Sequence, residues 1–455
     1  MKRILFTVIA CALFSVFIIE NATAQRNCGN PIFLENMKRD YPALYQQKQA
    51  EKAQQFAKAL ATVPTNSAKK TTAQYPIPVV FHFLLTDDEY IYCGRDSGIM
   101  RRVNSQIKGL NTDFNGGNAD QNLIPAAFKS RFQNVSIQFG LAKMITSSTI
   151  SNGIELKHLS APSVYDVNHD CYTAKQNTSV GLAAWDPTKY LNIWVVNITS
   201  GGAGTVLGIT SPPSNLGYNA GTPSNPHIIT NTDFGIVLNY GAIGVREFPE
   251  QNFIPNIDKG RTLTHEMGHY FEMVHTWGDD GGLCPDNGGQ DDGIADTPPE
   301  ADATYGSPSY PLYDACTKVG SGTSIMFMNY MDYVDDAAMY MFTTQQGIVM
   351  QSYLQSESFS LTQQPGLVLG LKESIANNSI SVVPNPATGK LHLSVEGSNH
   401  FLSADVMNML GQSIAHITAN GSNSFDIAVG NAARGIYMVK CQFAEGTLTR
   451  KIVLQ

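Results

Sequence analysis

The stretch His265-Glu266-Met267-Gly268-His269, with His275 six residues further on, constrains this chain more than any other part of it. On a helix, residues four apart share a face, so His265 and His269 present their imidazoles to one point in space. Glu266 faces the same cleft without being a ligand. Two helical nitrogens, a carboxylate and a third histidine are the parts a zinc hydrolase needs, with one metal position left for water. A chance match on a solvated helix would not call for His275 as well. The fold has to set a helix over residues 260–273 across a cleft. In such a site zinc lowers the pKa of a bound water to roughly 7 and polarises a scissile carbonyl. Glu266 would accept that proton and return it to the departing amine.

Composition narrows the setting. The chain has 455 residues, a net charge of −8 and only 15% charged residues. That length suits two domains plus processing segments, and no basic patch points to nucleic acid. Residues 1–24 read as a signal peptide: Lys2 and Arg3, an apolar run over 4–19, then Ala22-Thr23-Ala24 before Gln25. The run is short for a membrane span and lacks a basic flank after it. Val8-Ile9-Ala10-Cys11 looks like a lipoprotein box but lies inside the apolar run. No later segment is long and apolar enough to cross a bilayer, so the mature protein is expected to have no transmembrane segment. Six cysteines remain after the signal: Cys28, Cys93, Cys171, Cys284, Cys316 and Cys441. Export permits disulfides, but spacing alone does not assign the pairs.

Along the chain, residues 25–72 are polar, with helix-forming composition over 36–61 and a turn-rich basic stretch after it. Between a signal peptide and a hydrolase-like region this reads as a propeptide. Residues 73–355 alternate strands and helices: strands near 77–84, 136–142, 190–197 and 236–240, a helix over 99–114, and a long Gly/Ser/Pro loop over 201–221. This predicts an α/β (α+β) domain, a mixed sheet with the histidine helix across it. A linker follows over 356–378. Residues 379–455 read as short alternating strands at 390–396, 404–409, 425–429, 435–443 and 448–454, a small all-β sandwich.

The histidine motif with Thr276, Cys284, Asp292-Gly-Ile-Ala-Asp-Thr-Pro298 and Asn329-Tyr-Met-Asp-Tyr333 resembles the cytophagalysin–pappalysin family of metzincin metallopeptidases. Ile77-Pro-Val-Val-Phe-His82, Leu110-Asn-Thr-Asp-Phe114 and Tyr190-Leu-Asn-Ile-Trp194 extend the resemblance over about 73–355. It implies a metzincin fold with zinc on His265, His269 and His275, Glu266 as base, and protein or peptide substrates lying across the cleft. Met331 matches the Met-turn, which supports the histidines from below without binding metal. Tyr333 matches a tyrosine whose hydroxyl stabilises the tetrahedral intermediate; a core tyrosine is the plainer alternative. Two positions depart from the pattern. Glu272 stands where relatives have a glycine at a sharp turn, and a positive φ costs other residues roughly 1–2 kcal/mol. That turn is expected to persist with strain, and it leaves open a weak or inactive surface-binding protein. Ala338 replaces a cysteine, so one family disulfide is expected to be missing and the other to be Cys284–Cys316.

The resemblance also implies structural calcium in the acidic loop, with Asp286, Asp291, Asp292, Asp296 and Thr297 as candidate ligands. Asp335 and Asp336 fall where metzincins build the S1′ wall, and Asp336 there would favour Arg or Lys at P1′. Arg26-Asn27-Cys28-Gly29 resembles the cysteine-switch motif of metzincin propeptides, in which Cys28 would hold the zinc of the latent form. Pairing of Cys28 with Cys93, Cys171 or Cys441 is the alternative. Val383-Pro-Asn-Pro-Ala-Thr-Gly389, Met409-Leu-Gly-Gln412, Gly435-Ile-Tyr-Met-Val439 and Lys451-Ile-Val-Leu454 resemble a type IX secretion sorting domain. That implies type IX machinery as a partner and passage through the periplasm and outer membrane to a secreted or surface-held state; the enzyme is expected to be a monomer.

Overall fold

The computed structural model describes residues 26–61, 76–145, 150–199, 205–222, 224, 226–279, 282–285, 291–320, 323–355, 361, 368–369, 380–395, 401–408, 412–430, 432–443 and 446–455. The signal peptide expected at 1–24, the junction after 61 and most of 356–378 lie outside them.

Strand Pro76–Thr86 shows how the pattern builds the layers. Successive side chains of a strand point to opposite faces. Ile77, Val79, Phe81, Phe83 and Leu85 enter one core with Val103, Leu110 and Phe114 of helix Arg95–Phe114 and Leu263 and Met267 of helix Arg261–Tyr270. Leu84 enters a second core on the opposite face. His82, also fully buried there, is satisfied by Glu155 at 2.8 Å and Asn192 at 2.9 Å and stacks on Trp194. Each fully buried apolar side chain contributes roughly 1.5–3 kcal/mol relative to exposure, so this alternation sets both layers.

The sheet is mixed. Pro76–Thr86 pairs in parallel with Leu191–Val196 on one side, and with Gln138–Ala142 and Ile154–Leu159 on the other. Gly235–Asn239 runs parallel to Leu191–Val196, and Val206–Ser211 pairs antiparallel outside it. Asn27–Cys28 then adds in parallel to Val206–Ser211. The segment over 201–221, expected as a loop, therefore contains the strand that borders the cleft. Gly, Ser and Pro on both sides hid it, together with Gly208 in its middle.

Two further differences have local causes. The helix expected over 36–61 is two, Asn30–Asp40 and Pro42–Ala61, because Pro42 lacks an N–H and pushes Tyr41 out of the helical region, to φ −134° and ψ 53°. The histidine helix ends at Tyr270 instead of 273. Near the C-terminus, Ile380–Val383, Lys390–Val395 and Ser424–Ala428 form one antiparallel sheet. Phe401–Asn408, Ser413–Ser422, Gly435–Phe443 and Gly446–Leu454 form a second, with a shared core that includes Leu391, Leu393, Val406 and Val439. The all-β expectation is met, with Ile380–Val383 and Ser413–Ser422 as added strands.

Candidate active site

Helix Arg261–Tyr270 is buried along its whole length, and its end creates the site. Met273 N–H donates to Gly268 O and Glu272 N–H to His269 O, both at 2.9 Å. These two bonds are a Schellman closure, whose left-handed position usually holds glycine. Glu272 occupies it with φ +70°. The expected strained turn is present, and it returns His275 to the helix face.

The three Nε2 atoms lie 3.1–3.2 Å from one another. Ligand atoms of a tetrahedral zinc site, with Zn–N of about 2.0–2.1 Å, are separated by roughly 3.3 Å. The other ring nitrogens are already engaged. His265 Nδ1 faces Tyr330 O at 2.7 Å, His269 Nδ1 faces Met273 O at 2.9 Å, and His275 Nδ1 faces Asp279 at 2.8 Å. With the protons on Nδ1, three lone pairs point inward at one another, an arrangement that fits a cation. Burial pushes the pKa values of His265 and His269 well down, the neighbouring imidazoles adding to it, so both are held neutral.

Cys28 completes the group: one donor atom from each of Cys28, His265, His269 and His275 lies within 4.8 Å of the others. This is the only such cluster of potential ligands among the described residues. Cys28 is not disulfide-bonded, and neither are Cys93, Cys171 and Cys441. Burial and the nearby Glu266 push its thiol well up. A coordinated cation inverts that, because a ligating thiol is deprotonated outright.

Glu266 is fully buried, and Thr210 Oγ1 donates to its Oε2 at 2.6 Å. Burial raises its pKa to about 7, with Thr210, Cys28 and Arg26 pulling it back. A Cβ added at Gly208 would sit 2.5 Å from the Glu266 carboxylate, so the edge strand needs glycine there. Beneath the helix, a Cβ on Gly268 would lie 2.3 Å from Met331 Sδ. Met331 is therefore seated against the helix between the histidines. Its turn is fixed by Asn329, whose Oδ1 accepts Met331 N–H at 2.9 Å, and by Asp332, which accepts Tyr333 N–H at 2.7 Å.

Tyr333 is buried with its ring against His265, His275 and Trp277, and its hydroxyl accepts Cys28 N–H at 3.2 Å. Asp336 is also buried. It binds the Arg26 guanidinium and accepts Lys259 N–H at 2.7 Å, while Arg26 Nε donates to Val334 O at 3.1 Å. Asp335 instead accepts from Ser307 at 2.9 Å.

A family model described as pregnancy-associated plasma protein-A matches residues 251–355, and one for a secretion system C-terminal sorting domain matches 381–455. An extracellular metalloprotease of Arthroderma otae is 33% identical over 154 residues, 34% of this chain. The chain spans less than half of that relative, 46% of its length. A promirolysin mutant of Tannerella forsythia is 32% identical, with a TM-score of 0.59, over 75% of this chain and 97% of that one. The chain belongs to the pappalysin-type metallopeptidases. Mature mirolysin in complex with a cleaved peptide is also similar, with a TM-score of 0.51 over 66% of this chain. The sorting tail marks this pappalysin-type chain for export.

Not every expected group assembles. Cys284 and Cys316 are disulfide-bonded, as the resemblance implied. The calcium candidates, in contrast, turn to backbone and side-chain donors of their own loop and, for Asp296, of the helix Thr344–Leu354. Asp292 accepts Ile294 N–H at 3.0 Å and the Thr297 hydroxyl at 2.8 Å, Asp291 accepts Gly293 N–H at 2.9 Å, and Asp296 accepts Gln345 N–H at 3.0 Å. No cation-sized group forms from them among the described residues; Asp286 lies outside those. Sequence reading missed Thr210, Gly208, Asp279 and Trp277. For Asp279 the four-residue spacing from His275 is the available signal.

Proposed function

We propose that this chain is a secreted zinc endopeptidase made latent by its own N-terminal segment. The observation that carries the reading is the convergence of three inward Nε2 atoms and Cys28 beside Glu266 and Tyr333. Zinc, when bound by His265, His269 and His275, supplies a Lewis acid and lowers the pKa of a coordinated water to roughly 7. Glu266, poised near neutrality by its burial, takes a proton from the attacking water and delivers it to the leaving amine. Thr210 fixes the carboxylate's orientation. Tyr333 donates its hydroxyl hydrogen to the developing oxyanion once Cys28 has left. Asp279, Tyr330 O and Met273 O hold the imidazole tautomers that leave Nε2 free to ligate.

Residues 25–72 act as the propeptide. Cys28 takes the place of the water, and Arg26 fills the pocket floored by Asp336. The pairing of an arginine with that carboxylate supports a preference for Arg or Lys at P1′. The C-terminal strands serve type IX secretion. The test measures zinc content, casein hydrolysis and a P1′ peptide profile for the mature enzyme and its Glu266→Ala variant. A zinc-loaded wild type that cleaves casein, against a zinc-loaded variant that does not, is the expected result. Zinc-loaded wild type without hydrolysis would leave the surface-binding alternative standing.

A further inference from the structure

The N-terminal segment passes along the edge strand Val206–Ser211 in one direction. Asn27 lies opposite Val206, Cys28 opposite Gly208, and Asn30 Oδ1 accepts Thr210 N–H at 2.8 Å. Arg26 and Asp336 thus lie beyond the Val206 end, while a cavity of ≈70 Å³ opens at the Thr210–Pro212 end. Its walls include His269 from the helix end, Glu272 from the turn, and Met37 and Lys52 from the two N-terminal helices. If the Asp336 pocket takes the residue after the scissile bond, this cavity takes residues before it.

Glu272 is 5% exposed, and the Tyr353 side chain hydrogen-bonds its carboxylate. The opposing charge comes from the N-terminal segment: Lys52 Nζ lies 3.8 Å from Glu272 Oε2. Burial pushes the Lys52 ammonium down, while Glu272 and Asp279 favour its charged form. Removing residues 25–72 takes away that ammonium, the one cation paired with Glu272 among the described residues, and leaves the carboxylate with the uncharged Tyr353 hydroxyl.

We propose that Glu272 is a specificity-determining residue of a non-primed subsite that takes a lysine or arginine side chain, with Lys52 as its internal occupant in the precursor. The inference rests on the peptidase reading above. It gives the left-handed glutamate a role that glycine could not fill. In the precursor, Arg26 on Asp336 and Lys52 on Glu272 then bracket Cys28, one basic side chain on each side of the histidines.

The test uses mature enzyme and peptides with Arg fixed at P1′, in which each position before the scissile bond carries Lys, Gln or Glu in turn. Wild type is expected to prefer Lys over Gln at one position by about fivefold in kcat/KM, the upper size of a solvent-reached ion pair. In Glu272→Gln this preference disappears, and in Glu272→Lys it turns towards Glu, with the P1′ profile kept in both. A wild type indifferent to charge at every non-primed position overturns the proposal, and so does an unchanged preference in Glu272→Gln. Should Glu272→Lys fail to fold, Glu272→Gln decides; should both fail, Glu272→Gly, which suits the left-handed turn, takes their place, and a Lys preference that survives in it overturns the proposal. Failure to cleave any peptide would instead overturn the peptidase reading, and this one with it.

Discussion

Replacing Arg26 by alanine isolates one anchor of the N-terminal segment. The Arg26 guanidinium meets Asp336 where both side chains are at most 2% exposed, and its Nε also satisfies Val334 O. Removing one partner of a buried ion pair costs about 3–5 kcal/mol, mostly because a charge is left buried and unpaired. Asp336 keeps the backbone donors of Lys259 at 2.7 Å and Arg261 at 3.4 Å, which places the cost at the low end, about 3 kcal/mol. At 1.4 kcal/mol per decade that is about 100-fold in the opening equilibrium of the segment. Hydrogen exchange at Gly29, whose N–H donates to Gly208 O at 2.8 Å, reads this opening directly. The measurement belongs in a Glu266→Ala background, so that the precursor stays uncut. Exchange at Gly29 is expected to accelerate about 100-fold while the C-terminal strands exchange as before. Unchanged exchange at Gly29 would refute the idea that the Asp336 pocket holds the segment down.

Asp279→Ala should lower zinc affinity about 10- to 100-fold, measured by competition with a chromophoric chelator, because His275 loses the acceptor that fixes its tautomer. Tyr333→Phe should lower kcat of the mature enzyme by about 10²-fold with little change in KM, as expected for a donor used only in the transition state. The Cys284–Cys316 bridge spans a sequence separation of 32, and its removal should cost roughly 3–4 kcal/mol in chemical unfolding. Asp113 is buried, and burial raises its pKa to about 6 despite Arg261. A raised carboxylate favours the folded state while protonated, so its contribution falls as pH rises from the unfolded value towards 6. Relative to Asp113→Asn, the wild type should lose about 3 kcal/mol of stability between pH 4 and 8, and a pH-independent difference would count against this assignment.

Legibility tracked how local each signal was. The histidines and Glu266 were readable because one helix and one turn hold them, and Met331 because its short motif carries its own side-chain braces. Thr210 and Gly208 were not readable. They meet Glu266 only after a sheet has formed, and their strand lies among Gly, Ser and Pro residues that propensity assigns to loops. Asp279 is hard to single out for a related reason: six aspartates crowd 279–296, and only the backbone path gives one of them to His275. Glu272 was read correctly as a strained turn, but the cation opposite it sits more than two hundred residues earlier, which no local pattern announces.

The short pairing of Asn27–Cys28 with Val206–Ser211 has a consequence for the journey of the chain as well as for its latency. An uncovered strand edge offers its backbone groups to any extended polypeptide, whether a substrate or a misfolded neighbour. A protease has to keep such an edge in order to grip what it cuts. Here that edge is already taken, by a stretch of the chain's own N-terminal segment. On the latency proposed above, the adhesive face is wrapped for transport and maturation unwraps it.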